Sequence, residues 1–310
     1  MTRIATANAY SAVLDNLMAA QQRQIDAGTQ VSSQKNASDL KGYAANAETL
    51  SALQSVQSSV GGYLDQSTVL SNKLSTQDLA LNQLADSATG ASQSIKDALA
   101  SGSGDTVIQA LQGFFQNAVG ALNTKFDGRF LFAGGQVNTQ PVTATQLSAL
   151  TAAPSTASLF HNDQYVTTNQ LDESTTIKSG FLADGLGTNL FNAFKAIEAY
   201  NQGPGGPFTG QLTAAQSTFL QAQVASFDTE GTNLTNTAGQ NGLMQNQVNA
   251  ANTDLTSRQT MLTQLMGKIT DVDVAKAASD LQQASFSVQA AAQVFSALKA
   301  SSLLNLLPAA

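Results

Sequence analysis

Apolar residues recur in alternating steps of three and four toward both ends of this chain, and the pattern lapses only in the middle. The clearest run is Leu53, Val56, Val60, Tyr63, Ser67, Leu70, Leu74, Gln77, Leu81, Leu84, Ala88, Ala91, Ile95 and Ala98. This is the stepping of a coiled-coil seam, and only Ser67 and Gln77 in it are polar. A helix over residues 44–99 would extend about 80 Å at 1.5 Å per residue. Such a helix is not stable alone in water, so the pattern predicts partner helices beside it. Upstream, Tyr10, Leu14, Leu17, Ile25 and Val31 predict a first helix from about Asn8 to Val31, followed by a polar break over 32–39. Downstream, Ser101-Gly-Ser-Gly-Asp105 reads as a turn with Asp105 as helix N-cap. Val107, Leu111, Phe114, Phe115, Ala118, Leu122 and Phe126 then predict a third helix, antiparallel to the second.

Between about Gln136 and Gly210 the period changes. Four of the five prolines, Pro141, Pro154, Pro204 and Pro207, fall there. Residues 164–168 and 174–178 read as strands, with turns at 161–163 and at Asp172-Glu173. The pair Asp127-Gly128 marks a tight turn, with Phe130-Leu131-Phe132 as a short strand after it. Residues 190–200 predict a short helix. A fourth long helix begins near Thr213, with Leu220, Val224, Phe227, Leu234, Ala238, Val248, Leu255, Leu262, Met266 and Ile269 on one face. Its glycines Gly231, Gly239 and Gly242 predict a kink or break. The last helix follows Thr270-Asp271, with Leu281, Ala284, Val288, Ala291, Phe295 and Leu298 as its seam and Leu303, Leu304, Leu306 and Leu307 at its end. The expected fold is mainly α: a long antiparallel coiled-coil rod from the two ends of the chain, with a small β-containing domain inserted between them.

Composition narrows the function. Charged residues make up 11% of the 310, and the net charge is -7. A surface so poor in charge has little repulsion to keep copies apart. The acidic balance, with no Lys/Arg cluster, argues against nucleic acid. Cys and Trp are absent, so the chain has neither a disulfide framework nor thiol chemistry. No apolar run reaches the length of a membrane span. The opening residues Met1-Thr-Arg-Ile-Ala-Thr-Ala-Asn8 lack the basic-then-apolar layout of a cleaved signal peptide, which leaves a cytoplasmic protein or one exported without cleavage.

Candidate chemistry is sparse. The single histidine, His161, has no second His or Cys to join it as metal ligand, and reads as a turn residue. Asp271 and Asp273 lack the further spaced oxygens of a calcium loop; Asp271 reads as the N-cap of the last helix and Asp273 as a charge favoured near its start. Asp172 and Glu173 are neighbours that a strand would point to opposite faces, so they read as a solvated turn. The Gly102–Gly104 and Gly203–Gly206 stretches lack the strand and the Lys-Ser/Thr of a phosphate loop. No metal, cofactor or catalytic constellation is expected. The terminal seams lack the basic face that would favour lipid, so helix–helix assembly is expected of them.

Four segments resemble the flagellin superfamily, and within it the hook-associated proteins of the hook–filament junction. Arg3-Ile-Ala-Thr with Tyr10, Leu14 and Leu17 is similar to the opening helix of that family. Gln30-Val-Ser-Ser-Gln-Lys35 and Ser38-Asp-Leu-Lys-Gly-Tyr-Ala44 resemble the segment and turn that follow it, with Gln34 where the family has Gly and Leu40 where Pro or Ala is common. Gly128-Arg129-Phe130-Leu131-Phe132-Ala133-Gly134 resembles a turn of the junction proteins. Ile269-Thr-Asp-Val-Asp-Val-Ala275 and Phe295–Leu307 resemble the hinge and closing helix. The match covers both arms and leaves the middle third open.

The resemblance implies three parts: an inner domain from 1–38 with 272–310, a rod from 39–135 with 211–271, and an outer domain from 136–210. It also implies export through the flagellar type III channel without signal cleavage, and an extracellular place on the flagellum. The implied partners are copies of the chain, a neighbouring hook-associated protein, flagellin and an export chaperone. The expected assembly residues are Tyr10, Leu14, Leu17, Ile25, Leu281, Val288, Phe295, Leu298, Leu303 and Leu306. A filament-forming flagellin is the nearest alternative. A surface adhesin or glycan-binding protein using residues 136–210 is an alternative of another class, and an enzyme is the weakest of all.

Overall fold

The computed structural model describes residues 2–300, without the side chains of 2–7, 9, 10, 299 and 300. It is mainly helical, as the seams predict. The α-helices are α1 (Thr2–Ser33), α2 (Ala47–Ser101), α3 (Val107–Leu122), α4 (Leu147–Ala152), α5 (Ala183–Gln202), α6 (Ala214–Thr270) and α7 (Val274–Ala300). Two short antiparallel ribbons complete it: β1 (Lys125–Phe126) with β2 (Arg129–Phe130), and β3 (Thr168–Gln170) with β4 (Thr176–Lys178). The chain divides into two compact units. One holds the described residues up to Ser59 and from Arg258 on; the other is Val60–Ser257.

The central unit has a phenylalanine core. Phe115 on α3, Phe191 and Phe194 on α5 and Phe227 on α6 are fully buried. Phe115 lies 5.0 Å from Phe191, and Phe194 lies 4.9 Å from Phe227 with its ring edge-on. Such tilted pairs add to the burial of area. Leu74, Leu81, Leu84, Ala88, Ala91, Ile95 and Ala98 of α2 face inward, so that seam holds. Ser67 and Gln77 are buried in it too, and Gln77 donates to the Ser179 carbonyl at 3.1 Å. Its start differs: Val56 is exposed, and the half-buried Gln57 donates to Thr263 Oγ1 at 3.3 Å instead. The same stepping of four and three passes through both residues, and neither burial nor its absence marks Val56 in sequence.

α6 runs unbroken where its glycines predict a kink. From Leu220 its buried positions step through Phe227, Gly231, Leu234, Ala238, Asn241, Val248 and Leu255. Gly231 sits where α6 approaches α2: a Cβ there would lie 2.8 Å from Thr89 Cγ2. The residue serves close packing between the two helices. Farther along, Asn241 donates to the Leu74 carbonyl at 2.9 Å. Asp228 accepts from Ser92 at 2.6 Å and from Lys96 at 3.0 Å, and the Ser92 bond ahead of Lys96 holds its carboxyl below the usual range.

The middle section is more helical than its composition predicts. α5 extends the expected helix over 190–200 at both ends, and α4 with the 3-10 turn Thr156–Leu159 fills a stretch where no element was expected. The strand expected over 164–168 starts only at Thr168, because Asp163 takes the Tyr165 N–H at 2.9 Å and bends the chain there. Asp105 does not cap α3. Its carboxylate accepts from Gly210 N at 2.6 Å and ties the 101–105 turn to the loop before α6, while Thr106 stands at the N-cap without a side-chain bond.

Candidate assembly surfaces

The terminal unit is built on α1 and α7, which pack along each other. The buried side chains of the pair are small: Ala20 and Ala27 on α1, Ala277 and Ala284 on α7. Half-buried Val13, Leu17, Gln24 and Val31 continue the α1 seam, and Leu281, Val288, Phe295 and Leu298 continue that of α7. Gln24 donates to Ser285 Oγ across the pair at 3.1 Å. Five expected assembly residues therefore lie on the intramolecular seam: Leu17, Leu281, Val288, Phe295 and Leu298.

Leu14 and Ile25 do not. They are 43% and 61% exposed, and with Met18 at 51% they form a second stripe beside the seam. Reading Leu14 and Ile25 into one seam with Leu17 follows side-chain size; the structure chooses alanines and a glutamine instead, because small residues let two helices approach closely. On α7, Phe286 is 71% exposed. The opposite groove of the pair is polar, lined by Arg23, Asp26, Gln30, Asp280, Gln283 and Ser287. The Tyr10 side chain, Leu303 and Leu306 lie outside the described residues.

A polar clamp closes the base of this pair. Gln34 has φ 57°, the left-handed conformation that ends many helices, at the position where the resembled family has Gly. The turn brings Lys35 opposite Asp271 as an antiparallel bridge. Lys35 Nζ meets Asp271 Oδ1 at 2.6 Å. Asn36 N donates to the Thr270 carbonyl at 2.7 Å, Val272 N to the Gln34 carbonyl at 3.1 Å, and Asn36 Nδ2 to the Asp271 carbonyl at 2.9 Å. The Lys35 bond, then that of Thr270, holds the Asp271 carboxyl below its ordinary value. The roles expected of the two aspartates are thus exchanged. Asp273 is the one that caps α7, accepting from Ala275 N at 3.0 Å and Lys276 N at 3.1 Å. Asp271 belongs to the clamp. Both partner segments are visible in sequence, but the pairing between them is not.

The 128–134 motif fastens the chain through its buried residues Leu131, Phe132 and Ala133, while Gly128 and Arg129 are exposed. Asp127 (φ 50°) and Gly128 (φ 75°) form the two-residue loop of the β1–β2 hairpin, with Phe126 opposite Arg129. Two positive φ values in such a loop match the right-handed twist of the ribbon. Arg129 is exposed; Lys125 lies over the Phe130 ring at 4.4 Å. Phe132 is fully buried and its carbonyl accepts from Ala183 N at 3.0 Å, which fixes the start of α5. Gly134 has φ 68°, and a side chain there would collide with Asp163. Asp163 accepts from Gly135 N at 2.7 Å and from Tyr165 N, and these bonds, Gly135's first, lower its carboxyl below the usual range.

Other candidates settle plainly. His161 is exposed, its Nε2 3.3 Å from Thr143 Oγ1. Asp172 lies in the β3–β4 turn, where Ser174 N at 2.7 Å and the Thr175 hydroxyl at 2.9 Å bring its carboxyl down to about 2. Among the described residues no group of three or more His, Cys, Asp or Glu is placed to hold a metal, and no helix is long and apolar enough to cross a membrane.

Residues 224–307 match the family described as the bacterial flagellin C-terminal helical region. No curated protein matches the sequence. Among solved structures, the chain is similar to a protein of Vibrio parahaemolyticus described as a flagellar hook-associated protein, with TM-score 0.59 and 15% identity over 73% of this chain and 97% of that one. It is also similar to FlgL of Bacillus cereus, with TM-score 0.52 and 16% identity over 71% and 99%. The C-terminal arm thus matches the helical region of bacterial flagellins, and the chain has the helical fold of flagellar hook-associated proteins.

Proposed function

We propose that this chain is a structural subunit of the bacterial flagellum at the hook–filament junction, joining hook to flagellin filament by helix-mediated self-assembly. The observation that carries this reading is the terminal helix pair. Its alanine seam satisfies the pair internally, yet Leu14, Met18 and Ile25 still face outward on one side of α1, with Gln21 between Met18 and Ile25. Exposed apolar stripes of this kind mark interaction sites. The work of the protein is assembly, with no chemical step. Its partners in this reading are its own copies, an adjoining hook-associated protein and flagellin, with a chaperone before export. Its place is extracellular, on the flagellum. The division into an inner part (1–38 with 272–310), a rod (39–135 with 211–271) and an outer part (136–210) belongs to the same proposal, as does the surface role of Leu14 and Ile25.

A filament-forming flagellin is the second reading, and the match of residues 224–307 to flagellin favours it. Antibody labelling of isolated flagella separates the two. Label at one point between hook and filament is expected; label along the whole filament supports the flagellin reading, and no label on either structure overturns both.

A further inference from the structure

Beside the clamp lies a hollow of about 480 Å³ with a polar rim that includes Gln54 and Thr263 and an apolar side. Leu40 and Tyr43 from the 3-10 turn Leu40–Asn46, Leu50 from α2 and Met266 from α6 supply its apolar side. Leu40 is 46% exposed over it. The charged groups around it are already engaged: Lys35 with Asp271, and Asp39 with the Gly42 N–H at 3.0 Å. The hollow therefore suits an uncharged, apolar occupant.

One segment of this chain has that chemistry. Ser301-Ser-Leu-Leu-Asn-Leu-Leu307 carries four leucines and no charge, and it lies outside the described residues. It cannot enter the hollow of its own chain. The 27 residues of α7 start next to the hollow, at Val274, and carry the chain away to Ala300. That is about 40 Å of helix. An extended chain from Ala300 reaches Leu303 within about 11 Å and Leu307 within about 25 Å, so neither returns. We propose that the Leu303–Leu307 segment of a second copy fills the hollow at the clamp. The contact is head-to-tail: the surface given differs from the surface received. It passes from copy to copy without closing as a two-fold dimer, as an open assembly or ring requires. The inference rests on the reading of the chain as an assembly subunit, and names which parts of two copies meet.

The absence of cysteine makes the test clean. Full chains carrying Gln54→Cys, at the wall of the hollow, are mixed at high concentration with chains carrying Asn305→Cys and oxidised. A disulfide between the two chains is expected, in several times the yield given by Ala52→Cys, an exposed position turned away on the same helix. Met266→Asp in the first chain lowers that yield, Leu303→Asp in the second lowers it as much, and the two together lower it little further. Equal yields from Gln54→Cys and Ala52→Cys overturn the proposal, as does no cross-link at all. So does a disulfide formed within one dilute chain carrying both cysteines. Only purified chain is used, so failure here leaves the labelling result on flagella standing, and failure of the labelling leaves the cross-link to be judged by itself.

Discussion

The phenylalanine core of the central unit and the alanine seam of the terminal pair obey the same heptad rule with different side chains. In the core, Phe115, Phe191, Phe194 and Phe227 are wholly buried by neighbours in the same chain. In the pair, the fully buried positions are alanines, and the larger Leu17, Leu281 and Val288 remain half-exposed. Burial stabilises roughly in proportion to apolar area removed from water, about 25 cal/mol per Å². The core can offset the entropy of ordering its own backbone. Two helices meeting over alanines recover far less area for a similar backbone cost of about 1–2 kcal/mol per residue. A seam of small residues sets the geometry of a pair and leaves its stability to whatever packs on the outside.

Breaking one side chain on each side of this comparison sharpens it most. Phe194→Ala removes a ring packed between Phe115 and Phe227 and is expected to cost about 3–5 kcal/mol in urea melts. Leu281→Ala is expected to cost about 1 kcal/mol or less in the isolated chain. Equal losses would mean that the pair carries its own stability. Next in size is a charge on the outer stripe. Ile25→Asp is expected to leave the melt of the monomer unchanged, since Ile25 is 61% exposed, and to abolish assembly in sedimentation or light scattering. A destabilised monomer with normal assembly would invert the roles of stripe and seam.

A smaller effect is expected at the clamp. Gln34 pays for a left-handed backbone that glycine adopts freely, while glycine gains entropy in the unfolded chain. Gln34→Gly is therefore expected to stabilise the terminal pair by between nil and about 1 kcal/mol, read from amide exchange in α1. A loss of protection would show that the glutamine side chain itself holds the turn. The smallest effect is confined to the β3–β4 turn. The Asp172 carboxyl is lowered to about 2 by the Ser174 N–H and the Thr175 hydroxyl. Its contribution is fully present above the ordinary carboxyl value of about 3.9 and is lost as pH falls through the folded value. Amide shifts of Ser174 and Thr175 are expected to move with a midpoint near 2, and Asp172→Asn to remove the transition. A midpoint at the ordinary carboxyl value would show the turn bonds to be absent in solution.

What the sequence made legible was periodicity. The inward faces of α2, α3 and α6 follow from steps of three and four, because in long helices that spacing alone decides which side is buried. Size misled where the seam was made of small residues, as with Leu14 and Ile25 against Ala20 and Ala27. Glycine misled at Gly231, whose low helix propensity is visible locally while the approach of Thr89 is not. The exchange between Asp271 and Asp273 has the same origin. Either spacing suits an N-cap, and only the arrival of Lys35 from far along the chain decides which carboxylate is free for it. Of the candidate surface, the residue types were readable, and the division between inward seam and outward stripe was not.

The clamp also sets an order in time. Lys35 and Asp271 are 236 positions apart. On a ribosome adding roughly 5–20 residues per second, α1 emerges roughly 10–50 s before the residues that fasten it. For that interval it is a helix without its partner, marginal in water and carrying Leu14, Met18 and Ile25. The central unit, complete by Ser257, can fold before either end is paired. In the proposed reading, the stripe offered to other copies lies on the part of the chain that is last to be tied to its own.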